Sequence, residues 1–511
     1  MTGPSSGGVG PGDDPDTSPP TGAVPAVQSR IARRRRAQRP VEGRTAAVVT
    51  AVVVLVGVGL LSLVFPPPSP APPPPTADGV QVAPADAHLS SLYCTSGAGV
   101  DAGAGATGVV VLANTTPDAV HGVMTTFAAS GPAAVQRDLT VPPHGTADVI
   151  PATGLPVGAT ASTFSFAGGG VTGTMVVGGP TGWGTAPCAS AVSPQWDFSG
   201  GSTSNGSLDL SLYNPTAAPA VVDASFLTTG GAVLEPQAYQ GITIGAHQLV
   251  VAALAAYVQG QTDVTTLVQA ASGSVVATEL DRISTPNGGG LALVSGTPSE
   301  ATTWRFAQTT AVQGGNVTLA VGNPGASPVS ADVTVGLSGA TVTPRVLDVP
   351  AHAVATLAVS AVAGWPLGSP YSITVSANSP IVVGRSVTAP PVAAAPQAGV
   401  TQGTTGLATS WLVVGPGSPG NPLVAKAAIR SLAVADPGSA PVSVTVVPLG
   451  GGRPIAMARI GAGGLVVFGS AAVGGLRPLV VEATGSVVVE ADDGPAGAPG
   501  TVSSSGFPLS P

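Results

Sequence analysis

The sequence predicts an all-β protein: four tandem immunoglobulin-like antiparallel β-sandwich modules that follow one N-terminal transmembrane helix and a proline-rich stalk. Three observations predict this. Only 8% of the 511 residues are charged, and 71 glycines and 52 prolines divide the chain into short runs. A single segment is long and apolar enough to cross a bilayer. After it, one pattern of Val- and Thr-rich runs recurs four times.

Residues 1–44 are predicted to be a disordered cytoplasmic tail, because a Gly/Pro/Ser/Asp mixture cannot build a core. The tail ends in seven arginines between Arg30 and Arg44. Residues 45–65 carry no charge and would form a helix of roughly 31 Å, which matches the hydrocarbon core of a bilayer. The arginines place the N-terminus in the cytoplasm and the C-terminal domains outside, so this segment is the predicted contact with the lipid bilayer.

A cleaved signal peptide is the alternative to this anchor. Such a peptide has a shorter apolar core, and a cleavage site made of small residues comes directly after that core. Here the apolar run is longer and Pro66 follows it directly, so an uncleaved signal anchor is favoured.

Residues 66–87 are predicted to be the stalk. Its first ten residues, PPPSPAPPPP, include eight prolines and should extend as polyproline II for about 30 Å. A proline-rich tract can also bind an aromatic-lined groove. Between a membrane span and a folded region, a spacer is the better interpretation.

The repeats divide the rest of the chain into β-modules at 88–190, 191–297, 298–400 and 401–498, followed by a C-terminal tail at 499–511. Three landmarks recur in phase. They are an opening aromatic (Tyr93, Trp196, Trp304, Trp411), an Asx turn (Asn114, Asn214, Asn323, Asp436) and a residue before a strand (His144, His247, His352, Gly463). Because the repeat count is four, a four-bladed β-propeller-like arrangement is the alternative. Blades usually have about 40–50 residues, about half of this repeat, which favours sandwiches.

The combination of one N-terminal span, a Pro-rich stalk and modules of the form L-x-V-x-N-P…V-P-A-x…P-V-V-x-x-R resembles a known group of proteins. The group is an actinobacterial family of single-pass membrane-anchored surface proteins of uncharacterised function. The resemblance covers about residues 30–511. It implies the fold and the location given above, and it implies no activity.

Two cysteines, Cys94 and Cys188, bracket the first module. In an oxidising exterior, an even number of cysteines without metal-type spacing predicts one disulfide bond. A free nucleophile or a metal ligand would be the alternatives, but no His/Cys spacing supports either.

The remaining motifs predict no catalytic residue, no cofactor and no metal, so we expect that the chain is not an enzyme. His144, His247 and His352 share a repeat position that Gly463 takes in the fourth module, which indicates a turn. The GAGATG stretch at 103–108 matches the dinucleotide fingerprint but precedes a β-run, so a loop is expected.

A net charge of −8 leaves no electrostatic footprint for nucleic acid. Trp183 and Trp365 lie outside the repeat pattern, in Gly/Pro-rich loops, and are candidate contacts for a partner or a glycan. Either could instead fold over its own module. The sequence therefore predicts a membrane-anchored extracytoplasmic interaction or scaffold protein of the bacterial cell envelope, whose partner is unknown. A cell-wall glycan-binding protein is the alternative.

Overall fold

The computed structural model describes residues 82–96, 108–129, 131, 134–179, 182–204, 206–285, 288–337, 342–389, 398–415, 428–473, 475, 477–494 and 502–509. The predicted tail (1–44), the predicted span (45–65) and residues 66–81 of the predicted stalk lie outside them. Within the described ranges, no helix is long and apolar enough to cross a membrane. The described residues belong to one compact unit, Pro75–Pro511.

The protein is all-β, and its strands group into four consecutive segments. The first segment contains β1 (Ser90–Thr95), β2 (Gly108–Asn114), β3 (Val120–Ala128), β4 (Ala134–Val141), β5 (Thr146–Val149), β6 (Thr160–Phe166), β7 (Val171–Gly179) and β8 (Gly182–Pro187). The second contains β9 (Gln195–Gly201), β10 (Gly206–Tyr213), β11 (Ala220–Leu227), β12 (Val233–Leu234), β13 (Ile242–Ile244), β14 (Leu249–Ala253), β15 (Val264–Ser272) and β16 (Val276–Thr285), and it ends with β17 (Gly288–Ser295).

The third segment contains β18 (Ala301–Thr309), β19 (Asn316–Asn323), β20 (Val329–Gly336), β21 (Arg345–Val349), β22 (Ala353–Ala358), β23 (Tyr371–Thr388) and β24 (Ala398–Gln402). The fourth contains β25 (Ala408–Val413), β26 (Ala428–Ala435), β27 (Val442–Pro448), β28 (Ala456–Ile460), β29 (Leu465–Gly469), β30 (Leu479–Gly494), β31 (Val502–Ser505) and β32 (Phe507–Pro508). The helices of the described residues are short: α1 (Ser470–Val473) and the 3-10 turns Gln237–Tyr239, Leu254–Ala256 and Val359–Ala361.

The strands of each segment pair antiparallel with one another. The first segment forms the sheets β1-β6-β3-β4 and β5-β2-β7-β8, and the second forms β14-β10-β16-β17 and β12-β11-β15-β9. In the third segment the long strand β23 joins both layers, because its first half pairs with β18 and β20 and its second half with β19 and β24. The strands that close the other segments behave alike: β6 and β7 lie in different sheets, as do β15 and β16, and the long strand β30 pairs in both layers.

Each segment encloses a core between its two layers, as the alternation of apolar residues along the strands requires. The opening aromatics Trp196, Trp304 and Trp411 are buried in the cores of the second, third and fourth segments. Each indole N–H donates to a carbonyl oxygen across the core, at 2.7, 2.8 and 3.1 Å. The tryptophans thus combine a large apolar surface with a satisfied polar atom. Tyr93 of the first segment is only partly buried.

The asparagine of the Asx landmark ties two loops together in each of the first three segments. Asn114 Nδ2 donates to the carbonyl oxygens of Asp118, Val141 and Pro142 at 2.7, 3.3 and 3.1 Å. Its Oδ1 accepts the N–H of Thr116 at 2.8 Å. The same set of bonds recurs around the asparagines of the second and third segments.

The four segments close into a propeller-like ring. Strand β8 lies beside β17, β17 beside β24, β24 beside β31, and β31 beside β8. We call these the ring strands, and we call the contact between neighbouring segments a seam. Small apolar clusters fill all four seams, and the seam between the fourth and first segments contains Val109, Val111, Val176, Leu412, Val414 and Phe507. The ring corresponds to the propeller-like alternative of the sequence analysis.

The expected blade length was wrong for this ring for a physical reason. A blade of about 40–50 residues forms one sheet, whereas each segment of this ring has two layers and therefore needs about twice the residues.

Glycines let the backbones of neighbouring segments touch at the seams. A Cβ atom at Gly290 would lie 1.8 Å from the carbonyl oxygen of Ala398, and one at Gly384 would lie 1.9 Å from that of Ser199. A Cβ atom at Gly184 would lie 2.5 Å from the backbone nitrogen of Leu293. Part of the high glycine content of the chain therefore serves close backbone packing between segments.

Two predicted boundaries differ from the observed strands. Residues 499–511, predicted as a tail, include β31 and β32, which pair with β30 and β25. A serine-rich stretch lacks the alternation that signals a strand, but its backbone still completes the sheet. Strand β24 pairs with β23 and so crosses the predicted boundary between 400 and 401.

Candidate functional site

A cavity of about 100 Å³ lies where the four ring strands meet, and we call it the axial cavity. All four ring strands contribute to its wall, and Trp411 adds an aromatic side chain. The polar residues of the wall carry hydroxyl or amide groups: Thr185, Ser295, Thr297, Thr401, Gln402, Thr404, Ser503, Ser504 and Ser505. None of the described wall residues is charged.

Three polar atoms of this wall are buried without a hydrogen-bond partner. They are Thr185 Oγ1, Ser295 Oγ and Gln402 Oε1. The amide nitrogen of Gln402 donates to the Ser199 carbonyl oxygen at 2.8 Å, which leaves the amide oxygen as a fixed acceptor. A buried polar atom without a partner costs about 1–3 kcal/mol, so such atoms commonly bind water or a ligand. The axial cavity is therefore equipped to bind a neutral molecule with several hydrogen-bonding groups.

Two buried carboxylates lie behind the serines of β31. Asp492 accepts a hydrogen bond from Ser503 Oγ and Asp493 accepts one from Ser504 Oγ, both at 3.4 Å. Burial raises the pKa of Asp492 to about 7, with Glu490 adding to the rise and Arg385 opposing it. Burial likewise raises the pKa of Asp493 to about 7, and the neighbouring acid adds to it. The charge next to the axial cavity therefore changes near neutral pH.

A buried ion pair crosses the seam between the third and fourth segments. Arg385 Nη2 donates to Glu490 Oε1, and both side chains are buried. The Arg385 guanidinium lies 5.0 Å from the centre of the Phe306 ring, while Glu490 Oε2 accepts the Gln308 N–H at 3.1 Å. Hydrogen bonds and an aromatic contact surround the pair, although Arg385 Nε is buried without a hydrogen-bond partner, and the pair links the third segment to the fourth.

A second cavity, of about 410 Å³, opens at the same seam. Its wall includes Arg305, Thr334, Ser372 and Asp436. Asp436 takes the place of the asparagine in the other segments, and its Oδ1 accepts the Gly438 N–H at 2.8 Å. Its Oδ2 is buried without a hydrogen-bond partner, because a carboxylate cannot donate to carbonyl oxygens as an amide does.

The predicted disulfide bond is present. Cys94 and Cys188 are joined, and both are buried in the core of the first segment. The bond links the start of the segment to the chain that follows β8, and it closes a sequence separation of 94 residues.

The two candidate tryptophans have different environments. Trp365 is only 7% exposed, and its ring stands edge-on to Tyr371 with 6.5 Å between the centroids. Its indole N–H donates to the Thr343 carbonyl oxygen at 3.3 Å, so Trp365 folds over its own segment. Trp183 is partly exposed on β8, and its buried Nε1 has no hydrogen-bond partner. Trp183 is two residues before Thr185 and therefore shares its face of the strand.

The recurring histidines occupy turns, as the sequence indicated. The backbone φ of His144, His247 and His352 is 44°, 57° and 53°, and that of Gly463 is 66°. These are left-handed conformations, in which glycine is the natural replacement. Across the described ranges, no three His, Cys, Asp or Glu side chains form a group that could hold a metal ion. Residues 103–107 of the GAGATG stretch lie outside the described residues, and Gly108 begins β2.

Sequence reasoning missed the axial cavity. Its wall residues come mainly from four distant stretches of the chain, and each stretch alone is short and contains no motif. The four-fold repeat was the one available signal, because a ring of four segments places equivalent strands around one axis.

These features define an all-β protein whose four two-layered segments close a ring around a polar cavity. The chain belongs to a family of unknown function (DUF5719), whose model matches residues 152–458. The matched region begins in the first segment and ends in the fourth.

Comparison with curated proteins found no match. Among solved structures, the chain is similar to "Crystal Structure of Thermotoga maritima 1070", with 21% identity over 20% of this chain and 94% of that chain and a TM-score of 0.17. It is also similar to a "tetra-tandem repeat in extending region of large adhesion protein", with 13% identity over 84% of this chain and 98% of that chain and a TM-score of 0.09. At these TM-scores neither structure informs the fold or the function of this chain.

Proposed function

We propose that this chain is a membrane-anchored extracytoplasmic interaction or scaffold protein of the bacterial cell envelope. The observation that carries the proposal is the Cys94–Cys188 disulfide bond. Disulfides persist in oxidising compartments outside the cytoplasm. The bonded segment directly follows the apolar run at 45–65 and the proline tract, an order that suits a folded region held outside the membrane on a stalk.

The proposal includes three finer points. The first is that each segment is an immunoglobulin-like sandwich. This point is supported by the two antiparallel layers that enclose one core. The second is that the host is an actinobacterium. The chain has a single lysine, Lys426, which is a sign of GC-rich coding and supports this point. The third is that the protein acts by binding, and the neutral hydroxyl and amide groups that line the axial cavity support this point.

Single-cysteine labelling in intact, wall-stripped cells tests the location. Ser69→Cys places a thiol in the proline tract, and Ser29→Cys is the matched variant on the other side of the apolar run. The natural cysteines are bonded to each other and should not react. We expect a membrane-impermeant maleimide to label Ser69→Cys at once and Ser29→Cys only after permeabilisation. Equal labelling of both variants, or the reverse order, would contradict the proposal.

Glycan binding is the second candidate, and Trp183 favours it. A partly exposed tryptophan shares a strand face with Thr185, which lines the axial cavity. An aromatic surface beside hydroxyl and amide groups suits a polyhydroxylated ligand, because one side packs and the other forms hydrogen bonds.

Sedimentation of the purified protein with isolated cell wall tests this candidate. We expect Trp183→Ala and Thr185→Val each to weaken binding about tenfold, the loss of about 1.4 kcal/mol of contact energy. Tyr257→Ala is the matched control, because Tyr257 is a 60% exposed aromatic residue outside the cavity wall. Binding that persists in both wall variants, or that is lost equally in the control, would refute a glycan site on this face.

A further inference from the structure

Two buried carboxylates point into the interior of the second segment. Glu279 and Asp281 are two residues apart on β16, so they share one face of the strand with Ala277, which is part of the core. Their side chains are almost completely enclosed, with relative exposures of 3% and 1%. Because burying an unpaired charge costs several kcal/mol, the second segment needs a group that compensates them.

The environment of this pair is otherwise apolar, with one exception. Leu208 and Leu210 face the same core from the neighbouring strand β10. From the opposite layer, Thr266 lies between the core residues Val264 and Val268 on β15 and is fully buried. The Thr266 hydroxyl therefore faces the same interior as the two carboxylates.

Two carboxylate oxygens of this group are buried without a hydrogen-bond partner, Glu279 Oε1 and Asp281 Oδ1, and the Thr266 hydroxyl lies within reach of Glu279. The second oxygen of Asp281 accepts the Ser202 N–H at 3.2 Å, so the 201–204 loop closes this end of the core. Burial raises the pKa of Glu279 to about 7, and a hydrogen bond from the Thr266 hydroxyl opposes the rise. Burial and the charge of Glu279 hold the pKa of Asp281 well above its ordinary value.

The adjacent arginine serves the other face of the sheet. Arg282 follows Asp281 in the strand, so its side chain projects from the opposite face, and it pairs there with Asp209 at 2.5 Å. Asp209 also adds to the negative field at Asp281. The interior face of β16 is therefore left with two acids, a hydroxyl and the polar backbone of one loop.

We propose that Glu279, Asp281 and Thr266 supply protein ligands for a calcium-type divalent cation inside the second segment. Carboxylate and hydroxyl oxygens are hard ligands that Ca²⁺ prefers, whereas Zn²⁺ prefers nitrogen and sulfur. Ca²⁺ accepts irregular geometry and completes its shell with water or carbonyl oxygens. With only two carboxylates the site belongs to the weak class, with Kd about 0.1–1 mM.

Calcium stoichiometry of the natural full-length chain is the primary test. The chain, purified in mild detergent, is stripped with EDTA, dialysed against 45Ca²⁺ at about ten times the expected Kd and counted. We expect one Ca²⁺ per chain and a melting temperature that rises by a few degrees on adding Ca²⁺. Mg²⁺ at the same concentration should give a smaller shift, because it dehydrates reluctantly.

Isosteric variants locate the site. Glu279→Gln and Asp281→Asn should each abolish binding, and they should unfold no earlier than the natural chain without calcium because they remove a buried charge. Asp493→Asn is the matched control, because Asp493 is a buried acid on β30 of the fourth segment, and this variant should keep the calcium response. Thr266→Val keeps both carboxylates and should weaken binding at least threefold.

Two results would overturn the proposal. One is a natural chain that binds no Ca²⁺ and melts at the same temperature with or without it, which would mean that protons compensate the pair. The other is calcium binding that survives both Glu279→Gln and Asp281→Asn, which would place the ion elsewhere.

Discussion

Replacing Asp436 with asparagine should stabilise the fourth segment. In the third segment, Asn323 Nδ2 donates to the carbonyl oxygens of Ser327, Val349 and Pro350 at 2.8, 3.3 and 3.0 Å. Its Oδ1 accepts the N–H two residues later at 2.9 Å, as Asp436 Oδ1 does at 2.8 Å. The turn is thus equivalent in both segments, but in the fourth a buried oxygen without a partner replaces the donor nitrogen.

The expected gain follows from the bonds that the amide would restore. Each neutral hydrogen bond contributes about 0.5–1.5 kcal/mol net, and one of the three bonds in the third segment is long, so Asp436→Asn should raise the free energy of unfolding by about 1–3 kcal/mol. The reverse change, Asn323→Asp, should lower it by at least as much, because it sets a carboxylate oxygen against three carbonyl oxygens. Equilibrium unfolding in urea, followed by tryptophan fluorescence, measures both.

Asp436→Ala is the control for this pair of variants. It removes the acceptor for the Gly438 N–H and adds no donor, so it should be neutral or destabilising. If Asp436→Asn were no more stable than the natural chain, the carboxylate would have a partner that an amide cannot replace. The equivalence of the four turns would then be refuted.

Three further predictions concern the seams, the disulfide and pH. Gly384→Ala should lower the free energy of unfolding in urea by at least about 2 kcal/mol, because its Cβ would lie 1.9 Å from a carbonyl oxygen. Gly461→Ala is the control and should change little, because there is open space around that position. Equal effects of the two variants would contradict the seam packing. Replacing Cys94 and Cys188 with alanine should cost up to about 4–5 kcal/mol, and two alkylated thiols in the natural protein would contradict the bond. Burial raises the pKa of Asp197 from 3.8 to about 8, so the folded state binds the extra proton. The stability that this proton contributes is complete below pH 3.8 and is lost as the pH rises to about 8. Asp197→Asn should therefore reduce the fall of the melting temperature between pH 5 and 8. An unchanged pH dependence of the melting temperature would contradict this.

Features that depend only on contacts within one segment could be predicted from the sequence. The opening tryptophans of the last three segments are core residues, because an aromatic at this repeat position serves the same local packing in each of them. The turn position of the histidines followed from the glycine at the fourth copy, since only a left-handed backbone explains that exchange. The disulfide followed from two cysteines that flank one segment.

Features that arise between segments could not be predicted in this way. A repeat reflects the fold of one segment, whereas the seams are built from scattered apolar residues and from glycines such as Gly290 and Gly384, which show no periodicity. The Ser503–Ser505 stretch looks like a polar tail in the sequence, but it forms part of a ring strand and lines the axial cavity. Trp365, by contrast, folds over its own segment, which is the alternative that its Gly/Pro-rich stretch had left open.

Small-angle X-ray scattering of residues 75–511 tests the closed ring most directly. This stretch is one compact unit, and a compact chain of its length has a radius of gyration of about 22 Å. Four separate sandwiches of the same total length, strung end to end, would give about 40 Å. The ring predicts a value close to the first figure and a single-peaked distance distribution. A value near the second figure, with a long tail in that distribution, would contradict the ring, its seams and the axial cavity together.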